Sequence, residues 1–286
     1  MVIIADSGST KADWKLISNN KVIKTIRTMG FNPFFHTEKI IVDELTKCFQ
    51  NELDVNDVSK VYFYGAGCSS EDRNQIIQTA LTSFFPNSKN EVYHDILASA
   101  RATCGHNPGI ACILGTGSNS CAYDGIDITD NLPSLGFMLG DEGSGSSFGK
   151  LLIRKIFYRE LSEDLLQLFN SKYKLSKEDI LNSLYNKPHV NVFLAKFSEF
   201  YSENQNHPQV KKMVKTVFTE FFECHIVKYK NHDTYPIHFV GSIGFIFRPI
   251  LEEVAKDFKV NLGVTIKNPI DSLVNFHINT FSENLI

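Results

Sequence analysis

Val2-Ile3-Ile4-Ala5-Asp6-Ser7-Gly8-Ser9-Thr10-Lys11 decides how this chain is read. Four apolar residues predict a short buried strand, and the polar, glycine-containing run after them predicts a turn. Trp14 to Ile17 and Val22 to Ile26 read as two further strands joined by Asn19-Asn20, a hairpin turn. About a hundred residues on, the unit recurs. The apolar stretch Gly109 to Leu114 runs into Gly115-Thr116-Gly117-Ser118, which Asn119-Ser120 are expected to extend as loop, before a return strand through Cys121 to Tyr123. A strand, a small-residue polar turn and a strand, present twice, imply two similar lobes meeting at a cleft.

Between the two units the pattern is strand and helix in alternation. Thr37 is expected to cap a helix with Ile40, Ile41, Leu45 and Phe49 on one face. Val61 to Tyr64 is a strand leading into Gly65-Ala66-Gly67 and a helix from Glu71 to Phe84. Val92 to His94 is a strand ending at Asp95, ahead of a small-residue helix. From Ser146 to about Lys230 the pattern is helical, punctuated by Pro188 and Pro208. Ile237 to Val240 then reads as a strand followed by a Gly-Ser turn, Pro249 to Phe258 as a helix, Leu262 to Ile266 as a strand and Ser272 to Phe281 as a helix. This is an α/β chain with sheets of mixed direction.

Composition excludes several classes. The 286 residues are 43% apolar, enough for a sizeable core and about two domains. Lys+Arg 29 against Asp+Glu 32 gives −3, which argues against a general nucleic-acid binder. The longest uncharged stretch, Ala102 to Tyr123, is interrupted by Gly, Pro and Asn, so no membrane span is expected. Met1 to Asp6 lacks the basic lead of a signal peptide, and the six cysteines lack a C-x-x-C pair. Reduced thiols in a cytoplasmic protein are the expectation.

Six segments carry candidate chemistry. Residues 6–11 combine backbone N–H groups in a tight turn with the hydroxyls of Ser9 and Thr10 and the Lys11 ammonium, all donors suited to phosphate. Asp6, at a strand end, is suited to magnesium, directly or through water. Residues 115–118 have the same physics. In Gly140-Asp141-Glu142-Gly143-Ser144-Gly145, two carboxylates sit where they could accept hydrogen bonds from sugar hydroxyls, or simply open a helix capped by Ser. Asp95 is a candidate general base or a helix N-cap. Asn32, in Gly30-Phe31-Asn32-Pro33, offers an amide to a ligand or forms a plain turn. Finally, Gly241-Ser242-Ile243-Gly244 follows a strand and could lie against a purine. Other nucleotide motifs fail. A P-loop reading of Gly149-Lys150 meets Ser144 and Leu151 at required positions, and G-x-G-x-x-G meets Ser120 or Phe148.

In this order the segments resemble the BadF/BadG-type ATPases, which include N-acetylglucosamine kinases, within the actin/hexokinase/Hsp70 superfamily. The resemblance spans nearly the whole chain. It implies two ribonuclease-H-like lobes with an interlobe cleft: residues 1–110, then 111–286 with the last helix packing back on the first lobe. It implies ATP and magnesium as cofactors, held by Asp6, Ser7, Gly8, Ser9, Thr10, Lys11, Gly115, Thr116, Gly117 and Ser118, with Asp6 at the metal. Gly241, Ser242 and Gly244 would line the adenosine pocket, Ser242 standing where the family often has a second Gly. Asp95 would be the base, and Asn32, Asp95, Thr116, Gly136 and Asp141 would bind an amino sugar: N-acetylglucosamine, glucosamine or N-acetylmuramic acid. A cytoplasmic homodimer without nucleic-acid or membrane partners is expected. An alternative within the family is an ATPase activator of a 2-hydroxyacyl-CoA dehydratase or benzoyl-CoA reductase-type system. Such activators hold an iron–sulfur cluster through closely placed cysteines, and no loop here carries such a pair. A non-catalytic sugar sensor is disfavoured by two intact phosphate turns and Asp95.

Overall fold

A computed structural model describes residues 1–8 and 10–283 of the chain. These divide into two compact units: residues 1–106 with the segment from Asn268 onward, and residues 107–267.

The first unit contains β1 (Val2–Ser7), β2 (Lys11–Ser18), β3 (Lys21–Met29), α1 (Glu38–Phe49), β4 (Lys60–Gly65), α2 (Glu71–Phe84), β5 (Lys89–His94) and α3 (Asp95–Cys104). Its sheet has the order β3-β2-β1-β4-β5, with β2 antiparallel to both neighbours and β4 and β5 parallel to β1. The β2–β3 turn has Asn19 and Asn20 both at positive φ, as the Asn-Asn pair predicts. One face packs Ile3, Ala5, Trp14 and Phe63 with Ile41, Leu45 and Phe49 of α1 and Ile77, Ala80 and Leu81 of α2. Trp14 is fully buried edge-on to Phe31 and Phe49, and its indole N–H donates to Thr28 Oγ1 at 3.0 Å.

The second unit contains β6 (Gly109–Leu114), β7 (Ser118–Tyr123), β8 (Ile128–Asp130), α4 (Gly136–Leu139), α5 (Gly145–Phe157), α6 (Glu163–Tyr173), α7 (Lys177–Tyr185), α8 (Val190–Ala195), α9 (Ser198–Glu203), α10 (Pro208–Cys224), β9 (Ile237–Val240), α11 (Ser242–Ile246), α12 (Arg248–Asp257) and β10 (Leu262–Ile266). Its sheet order is β10-β9-β6-β7-β8. Here β7 is antiparallel to β6 and to β8, while β9 is parallel to β6 and to β10. Replacing β6 to β10 by β1 to β5 gives the order of the first sheet. The recurring strand–turn–strand unit is thus the same hairpin in two copies of one topology, and both sheets are five-stranded and mixed. Leu114, Phe148, Phe218, Phe221 and Phe239 lie in the core of this unit.

The chain then returns to the first unit as α13 (Ile270–Glu283), which packs on α3, β1 and β2. His277 lies against Tyr62, ring centroids 4.0 Å apart, and 2.8 Å from the Tyr64 hydroxyl. Arg101 of α3 donates to the same hydroxyl at 2.8 Å. Burial pushes His277 down to about 3, so its imidazole is neutral and Nε2 accepts the Tyr64 proton. Both faces of this sheet are therefore covered, which explains why Val2 to Ala5 is an unbroken apolar run and does not alternate.

Local expectations needed five corrections. Asn119 and Ser120 belong to β7, where the Asn119 Oδ1 accepts from the Asn131 amide and the Ser120 hydroxyl meets that of buried Tyr229. Thr37 occupies the N-cap of α1 but makes no side-chain cap bond, and the last strand of the hairpin runs to Met29. The Gly-Ser turn after β9 is the start of a short helix, α11. Asp95 is the first residue of α3, with His94 at the N-cap, so its carboxylate is not a cap.

Candidate active site

Candidate residues gather at strand ends in each unit. In the first unit, register sets the arrangement. Asp6 pairs with Asp13 across β1–β2, so both carboxylates project from one face. The parallel pairs Ser7↔Gly65 and Gly65↔His94 place Asp95 one residue beyond the carboxyl ends of β1, β4 and β5, where open α/β sheets present their ligand groups.

The turn after Asp6 is closed by the Gly8 N–H, which donates to the Lys11 carbonyl at 3.0 Å. Thr10 and Lys11 are exposed; Ser9 lies outside the described residues. Gly30 lies flat against this turn: a β-carbon there would be 2.1 Å from the Gly8 carbonyl oxygen and 2.9–3.0 Å from the Thr10 and Lys11 nitrogens. Ser7 is fully buried, and its Oγ accepts from the Phe31 N–H at 2.8 Å. Its hydroxyl therefore fastens the 30–31 segment to β1. Asn32 follows. Its Oδ1 accepts from the Phe34 N–H at 2.9 Å, and Gly67, at φ +81°, leaves room for that oxygen. Among the described residues its Nδ2 makes no hydrogen bond and remains the group able to meet a ligand.

Charge is concentrated on the acids. Burial, then Asp95, then Asp13 raise the Asp6 carboxyl to about 7, with Lys11 opposing. Burial also raises Asp95, against the pull of His94, whose Nε2 is 3.4 Å from Asp95 Oδ1. That Oδ1 is buried without a hydrogen-bond partner. Asp13 is already held by Arg27 at 2.8 Å and by Lys11 at 3.6 Å. A proton-seeking carboxylate beside a second acid is the environment of a general base. The donor set also fits a magnesium ion, since Asp6 supplies a hard oxygen in a region of surplus negative charge. No group of three His, Cys, Asp or Glu side chains among the described residues forms a metal site. The remaining positions around such an ion would fall to phosphate and water.

In the second unit the turn 115–117 closes β6 on β7. The carbonyls of Gly115 and Thr116 accept from the N–H groups of Gly145 (2.8 Å) and Ser146 (3.1 Å), the first two residues of α5. Ser146 Oγ adds a bond to the Thr116 carbonyl at 2.9 Å. The helix start thus fixes the turn, leaving the N–H groups of Thr116 and Gly117 without a partner among the described residues. Ser118 begins β7 and is buried, its hydroxyl unpartnered. Ser144 caps α5, accepting from the Ser147 N–H.

Asp141, at φ +60°, accepts from the Ser118 N–H at 3.1 Å, and a β-carbon on Gly117 would lie 2.9 Å from its Oδ1. Burial raises its carboxyl, opposed by the Ser118 N–H, Lys150 and His225. Lys150 Nζ donates to the carbonyls of Phe137 and Gly140, anchoring the stretch between Gly136 and Asp141. Gly136, at φ +70°, has open space around it. Gly241, at φ +121°, abuts the same strand end: a β-carbon would be 2.3 Å from the Leu114 carbonyl oxygen. Ser242 and Gly244 follow in α11. Residues 115–118, Asp141 and the 241–244 turn therefore converge at the ends of β6 and β9, while Asn32, Asp6 and Asp95 belong to the first unit.

Sequence reasoning missed Asp13, His94, Lys150 and His225. Strand alternation from Asp6 could have found Asp13. His94 was visible only as the neighbour of Asp95.

No family model matches the chain and no curated protein matches it, but solved structures match along its whole length. A candidate N-acetylglucosamine kinase from Porphyromonas gingivalis is 37% identical, with TM-score 0.92, over 98% of this chain and 100% of that one. A candidate N-acetylglucosamine kinase from Chromobacterium violaceum (16%, TM-score 0.74, 96% and 98%) shares the fold. So does a ROK family glucokinase from Streptomyces griseus, solved with glucose and AMPPNP (15%, 0.60, 96% and 97%). With more than a third of its residues shared across a complete relative, the chain belongs to the N-acetylglucosamine kinase-like family of the actin/hexokinase/Hsp70 superfamily, and is a phosphotransferase of the sugar-kinase class.

Proposed function

We propose that the protein is an ATP-dependent kinase that phosphorylates a hydroxyl of an amino sugar, N-acetylglucosamine or a near relative such as glucosamine or N-acetylmuramic acid. The observation that carries this reading is Asp95: a carboxylate with one oxygen buried and unpartnered, at the ends of three parallel strands, next to a second acid. The relative from P. gingivalis supports the choice of sugar.

In this reading Asp95 takes the proton of the sugar hydroxyl as its oxygen attacks the γ-phosphorus and the bond to ADP breaks. The Thr116 and Gly117 N–H groups and the turn 8–11 hold phosphate oxygens, and the 241–244 turn lines the adenosine pocket. Asn32, Thr116, Gly136 and Asp141 orient the sugar. Magnesium, held through Asp6, would neutralise charge on the phosphates, and the protein's part is otherwise positioning. No helix among the described residues is long and apolar enough to cross a membrane. The reading takes the enzyme to be a cytoplasmic homodimer, which sedimentation and cell fractionation would check.

Coupled ADP release across a panel of hexoses and hexosamines, with mass analysis of the product, tests the proposal. Turnover that depends on a hexosamine is expected. ADP release independent of every hexosamine would refute it.

A further inference from the structure

His225 lies just past α10, 83 residues from Glu142 and 105 from Ser120, and it touches both. Its Nε2 is 3.1 Å from Glu142 Oε2, and its Nδ1 is 3.4 Å from Ser120 Oγ. Ser120 Oγ is in turn 2.8 Å from the Tyr229 hydroxyl, which accepts from the Leu132 N–H at 3.3 Å. Ser120 is fully buried and Tyr229 nearly so.

A carboxylate only accepts, so the His225 Nε2–H donates to Glu142. On the other side of the ring the Ser120 hydroxyl links Nδ1 to the Tyr229 hydroxyl, whose oxygen accepts from the Leu132 N–H. Buried networks satisfied in this way fix position, and one that loses a member leaves its neighbours unpaired.

What the network holds is the turn carrying Asp141. Glu142 stands between two residues in the left-handed region, Asp141 at φ +60° and Gly143 at φ +77°. Gly143 packs on Phe221, so closely that a β-carbon would lie 2.9 Å from its ring. Phe221 also stacks under the His225 imidazole, centroids 4.8 Å apart. Lys150 secures the near end of the turn through the Gly140 carbonyl. The Glu142–His225 pair secures the far end. Packing alone needs no carboxylate and imidazole here, whereas fixing a turn of strained backbone does need a directional tether.

We propose that His225 is a positioning residue for sugar recognition, holding Glu142 and with it the orientation of Asp141. This rests on the reading of Asp141 as a sugar-binding residue. The phosphate turn 115–117 touches Asp141 through the Ser118 N–H, but it has a further anchor of its own in the Gly145 and Ser146 N–H groups at the start of α5, so the larger effect falls on the sugar.

Steady-state kinetics of the full chain, with ATP and the hexosamine that gives the highest turnover, test this in four variants. His225→Ala is expected to raise the sugar KM about tenfold and the ATP KM by less. His225→Gln, which restores a donor to Glu142, is expected to recover most of that loss. Glu142→Gln keeps the bulk of the side chain and is expected to raise the sugar KM as well; it decides the matter if circular dichroism shows His225→Ala unfolded. Asp141→Asn separates the layers. An unchanged sugar KM in Asp141→Asn overturns the underlying reading and the proposal with it. A raised sugar KM there, with His225→Ala and Glu142→Gln unchanged, overturns the proposal alone, as does an equal rise in sugar and ATP KM in the His225 and Glu142 variants.

Discussion

Gly30 presses against the carbonyl oxygen of Gly8 so closely that a β-carbon on Gly30 would lie 2.1 Å from it. The contact is backbone to backbone, so no side-chain rotation relieves it. Gly30→Ala must displace the turn 8–11 or the segment bearing Asn32. The expected outcome is a loss of about 1–3 kcal/mol in stability, the usual size of an overpacking penalty, with weakened ATP binding. Calorimetric titration and thermal unfolding check it; wild-type values in both would show that the turn yields freely.

Asp95→Asn keeps the shape of the side chain and removes its basicity. If Asp95 is the base, kcat falls about 10²–10⁴-fold while ATP still binds. Rapid-quench measurement of the phosphoryl-transfer step decides: a variant transferring at the wild-type rate assigns proton removal elsewhere.

Asp6 gives a pH dependence with a definite sign. Folded, its carboxyl keeps a proton up to about 7; unfolded, it titrates near its ordinary 3.8. The folded state binds the extra proton between those values, so this group's contribution to stability declines as pH climbs from about 4 to about 7. Asp6→Asn removes that slope. Midpoints of thermal unfolding, taken across this range, should show the variant gaining on the wild type toward alkaline pH. Parallel curves would mean that Asp6 is ionised throughout.

Tyr64→Phe removes the hydroxyl that receives Arg101 and donates to His277. Taking one partner from a buried network costs about 1–3 kcal/mol. Denaturant unfolding should register that loss in midpoint with an unchanged slope. A variant as stable as the wild type would show that the two partners regroup without the hydroxyl.

Much of this was legible in the chain. Apolar runs ending at polar turns marked β1, β4 and β6, and Asn19-Asn20 marked the hairpin, because those signals are local. Asn119 and Ser120 were illegible: polar residues enter a buried strand only if partners wait there, and theirs come from Asn131 and Tyr229. The tie between the Ser7 hydroxyl and Phe31 was not legible, because it joins segments 24 residues apart. Asp95 stood out in the sequence by its place at a strand end, whereas its position inside α3, one residue past the N-cap, depended on backbone detail at His94. Nothing near His225 in sequence announced it, since its partners are brought together only by the sheet and α10.

The return of the chain to its first unit has a consequence for synthesis. Residues 107–267 are continuous and can assemble as soon as they leave the ribosome. The opening sheet cannot finish: Tyr62 and Tyr64 stay uncovered until α13 emerges with His277. A nascent chain halted at residue 267 would carry a finished second half and a sticky, half-dressed first half, the form on which a chaperone would be expected to act.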